Sequence, residues 1–217
     1  MRSTKDIREA VEEELAFDPL VDSSNITVKN VSGVVALNGT VPSYPQYLVA
    51  AVATQRVAGV KHVHNHLAVH LPDADYRDDV QLATAANNAL EWDVTVPAGI
   101  EATARKGNIT LTGAVRYGAQ RIAAELAVGS LAGVRNIKNE IDVDYAADPV
   151  DVTAQVQAAL DRNALLLEGS NILVDTNVHV VSLSGNVRTW AEHDAVLDAA
   201  WRAKGVHDVI DNLVVTG

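Results

Sequence analysis

The chain repeats itself three times, and this limits its folding more than any other feature. The segments "VVALNGTV" (34–41), "NITLTGAV" (108–115) and "VVSLSGNV" (180–187) share the pattern Leu-x-Gly-x-Val. Its glycines are Gly39, Gly113 and Gly185, and twenty residues after each comes a Gly-Val step, at Gly59, Gly133 and Gly205. A closing block then follows in every copy: "VKHVHNHLAV", "VRNIKNEIDV" and "VHDVIDNLVV". The copies start 74 and then 72 residues apart. Self-similarity in such step marks one supersecondary unit copied in tandem. A unit of ~70 residues has a marginal core of its own, so tandem packing or oligomerisation is expected to support it.

Each copy gives the same element order. An amphipathic helix comes first, with Ile7, Val11 and Leu15 on one stripe, matched by Leu82, Ala86 and Leu90, and by Val152, Val156 and Leu160. Two strands follow. The second alternates, with Val35, Leu37 and Val41 inward and Ala36, Asn38 and Thr40 outward. The inward glycine at 39, 113 or 185 is expected to allow a close approach by a helix or strand. A second helix starts with capping-box chemistry at Ser43 to Gln46 and at Thr189 to Glu192. Tyr117 stands at the cap in the middle copy, where the cap should be poorer. The packing side of this helix reads as Val49 and Ala53, Ala123 and Ala127, or Ala195 and Ala199, and its end is placed at the Gly-Val step.

The last strand ends at residue 69, 143 or 215. The first two strands should form a hairpin, and the third, after a helical crossover, should run parallel to the second. The fold class is α+β: three tandem modules of order α-β-β-α-β, each a small mixed sheet with two helices on one face. Their spans are 1–70, 76–145 and 149–217, with linkers marked by Pro72 and Pro149.

Composition excludes several functions. Net charge is −11, with acid in excess in every third of the chain, so no basic surface for nucleic acid is evident. The same charge disfavours simple electrostatic docking on anionic lipid. With no cysteine, thiolate metal sites and cysteine nucleophiles are excluded. Nothing approaches a transmembrane span, and "MRSTKDIREAVEEELAFDP" lacks the apolar stretch of a signal peptide. The expected location is therefore cytoplasmic, or peripheral to a membrane. There is no nucleophile elbow, phosphate loop or His-Glu-x-x-His. No enzyme activity and no cofactor are expected.

The repeat resembles the BON domain, named for bacterial osmotically inducible periplasmic proteins and nodulation proteins. The likeness rests on Leu-x-Gly-x-Val, the twenty-residue step to Gly-Val, and a closing Val/Ile-x-Asn/Asp-x-Leu/Ile-x-Val. In this chain the polar residue of that motif is Asn65, Asn139 or Asp211. The resemblance implies a non-enzymatic binding or scaffold protein of osmotic or envelope stress. Its implied partner is a phospholipid membrane surface or an envelope protein. The alternatives are a soluble sensor of a small ligand or cation, and a structural homo-oligomer.

Two groups of residues are candidates for contact. His62, His64, His66 and His70 fall on the open face of the last strand of copy one. A solvated strand face is the plainest reading. The alternatives are a metal site at His62, His64 and His66 and a pH-sensitive contact. Copy two has Asn136, Lys138, Glu140 and Asp144 there, while copy three has the apolar Ile210 and Val214, which suggest contact with a neighbour. Tyr44, Tyr117 and Trp190 stand near the start of the second helix. They suit lipid or partner contact, or packing over the helix end. Asn65, Asn139 and Asp211 read as structural hydrogen bonds or a ligand contact. Trp201 is expected in a core, and Phe17 and Trp92 are expected to anchor packing after the first helix.

Overall fold

The computed structural model describes residues 4–144, 149–166 and 172–216. The second linker, 145–148, lies outside them. Module one contains α1 (Thr4–Phe17), β1 (Ile26–Val31), β2 (Val34–Val41), α2 (Tyr44–Gln55) and β3 (His62–Val69). Module two contains α3 (Asp79–Trp92), β4 (Glu101–Arg105), β5 (Asn108–Val115), α4 (Gly118–Gly129) and β6 (Asn136–Val143). Module three contains α5 (Pro149–Asp161), β7 (Ile172–Asn177), β8 (Val180–Val187), α6 (Trp190–Trp201) and β9 (Asp208–Val215). The three sheets are ordered β1-β2-β3, β4-β5-β6 and β7-β8-β9, each with an antiparallel and then a parallel pair. The architecture expected from the repeat is the one observed.

Periodicity places the cores. Ile7, Val11 and Leu15 of α1 are buried with Val28, Val35, Leu37 and Leu67, and equivalent residues fill the other two cores. The buried stripe of the second helix keeps Ala53 and Ala199 of the expected one and otherwise differs. It runs through Ala50, Ala53 and Thr54, through Ala124 and Val128, and through Val196, Ala199 and Ala200. Val49, Ala123, Ala127 and Ala195 are only half-buried. These helices carry alanine on several sides, so hydropathy gives little contrast for choosing a face.

The ends of the second helix also show how sequence sets geometry. Ser43 Oγ accepts from Gln46 N–H at 3.4 Å, and Thr189 Oγ1 accepts from Glu192 N–H at 3.1 Å. Tyr117 gives its helix no side-chain bond, and Gln120 Oε1 instead accepts from the N–H groups of Arg116 and Tyr117. The helix stops at Gln55, Gly129 or Trp201, four residues before the Gly-Val step. Gly59, Gly133 and Gly205 then turn the chain into the last strand with φ of +94°, +97° and +82°.

The recurrent glycine of the second strand has a specific role. Gly39 and Gly113 take φ of +122° and +132°, and a Cβ on either would collide with a backbone carbonyl, that of Asn25 or Gly99. The close neighbour is thus the residue leading into the first strand. The first hairpin turns are Ser32-Gly33 and Lys106-Gly107, both residues of each at positive φ, as a two-residue turn in a twisted hairpin requires. In module three Val178 takes φ of +59°, which is costly for a β-branched residue.

Gly39→Ala should therefore cost at least about 2–3 kcal/mol, since it adds a backbone collision to the strain. Gly99→Ala, with φ of +95° but open space around it, should cost only about 1 kcal/mol. Val178→Gly should gain about 1 kcal/mol. Urea denaturation of the three variants checks this ordering.

Candidate functional site

The histidines lie on the free edge of the first sheet. His64, His66 and His70 are exposed, and His62 is half-buried. His64 sits opposite Ala36, and His66 opposite Asn38, on β2. The rings of His64 and His66 stack, with centroids 6.1 Å apart and planes inclined by 11°. His62, at the start of the strand, lies close enough to module three to influence Asp211 electrostatically. The three histidines do not converge. Among the described residues, no group of three or more His, Asp or Glu side chains could hold a metal ion.

The start of the second helix is where modules meet. Tyr44 is 6% exposed and packs into the core of module two. Its ring stacks on Tyr47 at 5.5 Å and lies 3.4 Å from where a Cβ on Gly129 would be. Burial and the neighbouring Glu125 carboxylate push its hydroxyl up to about 12. In module two the position equivalent to Tyr44 is Gly118, where a Cβ would collide with the Trp201 ring of module three. Beside it, Tyr117 forms a bridge with Lys204, and Arg121 Nη1 donates to His207 O at 3.2 Å. In module three the equivalent residue is Trp190. Its indole N–H donates to Val60 O of module one at 3.2 Å, and its ring packs against the cores of modules one and three.

Three junctions of one kind therefore run one to two, two to three and three to one, closing the chain into a ring. Tyr44 and Trp190 are drawn into these junctions, which removes Tyr44 from any external surface. Tyr117 stays 38% exposed. Trp201 belongs to a junction as well as a core.

The recurrent polar residue of the last strand holds that strand to the second helix. Asn65 Nδ2 donates to Tyr47 O at 2.6 Å, and Asn139 Nδ2 to Arg121 O at 2.9 Å. Asp211 has no donor for this bond. In its place His193 Nε2 meets Asp211 Oδ2 at 2.9 Å, and His193 Nδ1 meets Asp194 Oδ1 at 3.0 Å. Burial alone would lower the His193 pKa, but the two carboxylates outweigh it and raise it to about 9. Burial opposes ionisation of Asp211, yet its bonds to His193 and the Leu213 N–H hold its carboxyl below the usual range. The ring of His193 also meets Trp190 edge-on, with centroids 4.8 Å apart, tying this ion pair to the three-to-one junction.

Phe17 and Trp92 are not packing anchors. They are 82% and 85% exposed. The buried stripe of each first helix ends at Leu15 or Leu90, and a residue two places further on projects to the other side. Leu20, Val94 and Leu165, in the same loop of the three modules, are exposed as well.

Sequence reasoning missed the Tyr44–Gly129 and Gly118–Trp201 pairs and His193. Their signal is present once the copies are aligned on the glycine of the second strand. Positions 44, 118 and 190 read Tyr, Gly, Trp, and positions 55, 129 and 201 read Gln, Gly, Trp. Grouping Tyr117 with Tyr44 and Trp190, one place out of phase, hid the exchange of large for small.

Modules of this topology, repeated and joined head to tail, define a class of small tandem α+β domains. A family profile for the BON domain matches residues 3–70, 78–145 and 148–217. The chain belongs to the BON domain family, three times over. No curated protein matches it. Among solved structures it is similar to the C-terminal domain of CdsD, a structural protein of the type III secretion system of Chlamydia trachomatis. That match has 15% identity, full coverage of both chains and a TM-score of 0.27. A second CdsD structure matches with 14% identity, 95% of this chain and 90% of that one, also at 0.27. Superpositions of this quality carry no argument about function.

Two outcomes follow from the junction geometry. Gly118→Ala should destabilise by about 1–3 kcal/mol, and Trp201→Leu should relieve most of that cost in the double variant; denaturant titration of the cycle measures the coupling. The His193 pKa is raised on folding, so its contribution is full below about pH 6.5 and lost as pH rises through about 9. That of Asp211, whose pKa is lowered, is full above its unfolded value and lost in acid. The melting temperature should thus fall between pH 7 and 9, and Asp211→Asn should flatten that decline.

Proposed function

We propose that the chain is a non-enzymatic binding protein. Its three modules dock on a phospholipid membrane surface through the loops that follow their first helices. One observation carries this reading: large apolar side chains are left exposed at the end of the first helix, Phe17 and Trp92, and in the loop that follows it, Leu20, Val94 and Leu165. Isolated exposed apolar residues need no explanation, but Phe17 recurs as Trp92 and Leu20 as Leu165 at equivalent positions of the repeat, with Val94 beside them. Burying one such side chain contributes roughly 1.5–3 kcal/mol, and Trp suits the membrane interface. Three weak contacts on one ring reinforce each other through effective concentration. Among the described residues no helix is long and apolar enough to cross a membrane, and docking of this kind needs none. On the family resemblance, we assign this docking to osmotic or envelope stress.

With net charge −11, the attraction has to be apolar. Flotation with phosphatidylcholine vesicles should recover the protein to a similar extent in 50 mM and 500 mM salt, although the Debye screening length falls about threefold. The double variant Phe17→Ser with Trp92→Ser should lower recovery at least tenfold. Binding that requires anionic lipid and disappears in salt, or that ignores the double variant, would contradict the proposal.

A second reading has its own observation. Leu173, Ile210 and Val214 are exposed on the open face of the third sheet, where module one presents Thr27, His64 and Ala68. This face suits a second copy or an envelope protein. Light scattering that shows a dimer of wild type and a monomer of Ile210→Asp would support it.

A further inference from the structure

We propose that His64 and His66 form a two-histidine chelate for a borderline divalent transition-metal ion, Cu²⁺ foremost, then Ni²⁺ and Zn²⁺. The two residues are two apart on a strand, so they share one face. Their rings already stand side by side, 6.1 Å between centroids and inclined by only 11°. A modest rotation of each about its side-chain bonds brings two ring nitrogens to the ~2.0–2.1 Å that a metal–imidazole bond needs.

A second observation comes from the sister module. Lys138 and Glu140 occupy the equivalent positions of β6, and their charged ends meet in an ion pair. Side chains at these two positions of the strand can therefore reach each other across one face. In module three the same positions hold Ile210 and Asn212, so only module one carries two imidazoles.

The surroundings suit an open site. β3 is an edge strand, and both histidines are exposed. On the β2 side the register pairs His64 with Ala36 and His66 with Asn38. Water can then complete the coordination shell, and the Asn38 amide is placed to bond one such water. Imidazole suits Cu, Ni and Zn, and the affinity order of first-row divalent ions puts Cu²⁺ first. His62 is not a member, since among the described residues no three such side chains converge.

The experiment is calorimetric titration of CuCl₂ into the full chain, purified without a histidine tag, at pH 7.5. Electron paramagnetic resonance of the complex is recorded alongside. One Cu²⁺ per chain should bind, with a spectrum showing nitrogen ligands. His64→Ala and His66→Ala should each weaken binding at least tenfold, because the chelate becomes a single ligand. His70→Ala and His62→Ala should change it less than threefold. Lowering the pH to 5.5 should also weaken binding, since the imidazoles must be neutral to ligate. Circular dichroism confirms that these surface variants fold. The proposal is overturned if the wild-type chain takes up no Cu²⁺ at equimolar concentrations. It is equally overturned if the variant with both His64 and His66 replaced binds as tightly as wild type.

Discussion

The structure depends on one contact made three times: the start of the second helix of a module set against the end of the second helix of the next. It is an off-axis, head-to-tail contact. Such contacts usually propagate, and they stop only when rotation closes them into a ring. Three modules suffice here, since Trp190 of the last reaches Val60 of the first. A module of ~70 residues sits at the margin of independent stability, and each junction enlarges a neighbour's core. Tyr44 counts among the buried residues of module two, and Trp190 lies against two cores. Covalent linkage keeps the modules at high effective concentration, so modest junctions can hold.

Equivalent junctions use different chemistry. Where module one supplies a tyrosine, module two accepts it with Gly129; where module two supplies Gly118, module three fills the space with Trp201. The exchange of large for small makes each junction fit its own neighbour, which is how a repeat avoids pairing out of order. Module three departs most from the pattern, and histidine compensates twice. His193 replaces the hydrogen bond that Asp211 cannot donate, and His179 Nδ1 reaches Gly205 O at 3.1 Å where the other modules have a turn glycine. The His193 ion pair makes the last junction the one most exposed to pH.

Much of the fold was legible in the sequence because its periodicities are strong. The stripe Ile7, Val11, Leu15 and the alternation Val35, Leu37, Val41 each select one face, and the Gly-Val steps set the crossovers. The face of the second helix was harder, because alanine on several sides leaves no hydropathy contrast. The polarity of the His64 and His66 face could be read from strand alternation alone. The junctions could not, since a residue such as Gly118 acquires meaning only from Trp201, eighty-three residues later. Phe17 and Trp92 misled for a related reason: aromatic character suggests burial, while their place at the end of the helix directs them outward.

The closed ring is tested most directly by small-angle X-ray scattering of the full chain in dilute solution. Three compact modules of this size in mutual contact give a radius of gyration of ~18 Å. The same modules strung in a line give ~23 Å. A value near 18 Å with a compact distance distribution is the expected result. A value near 23 Å, with separate peaks for intra- and inter-module distances, would contradict the ring and the shared cores that depend on it.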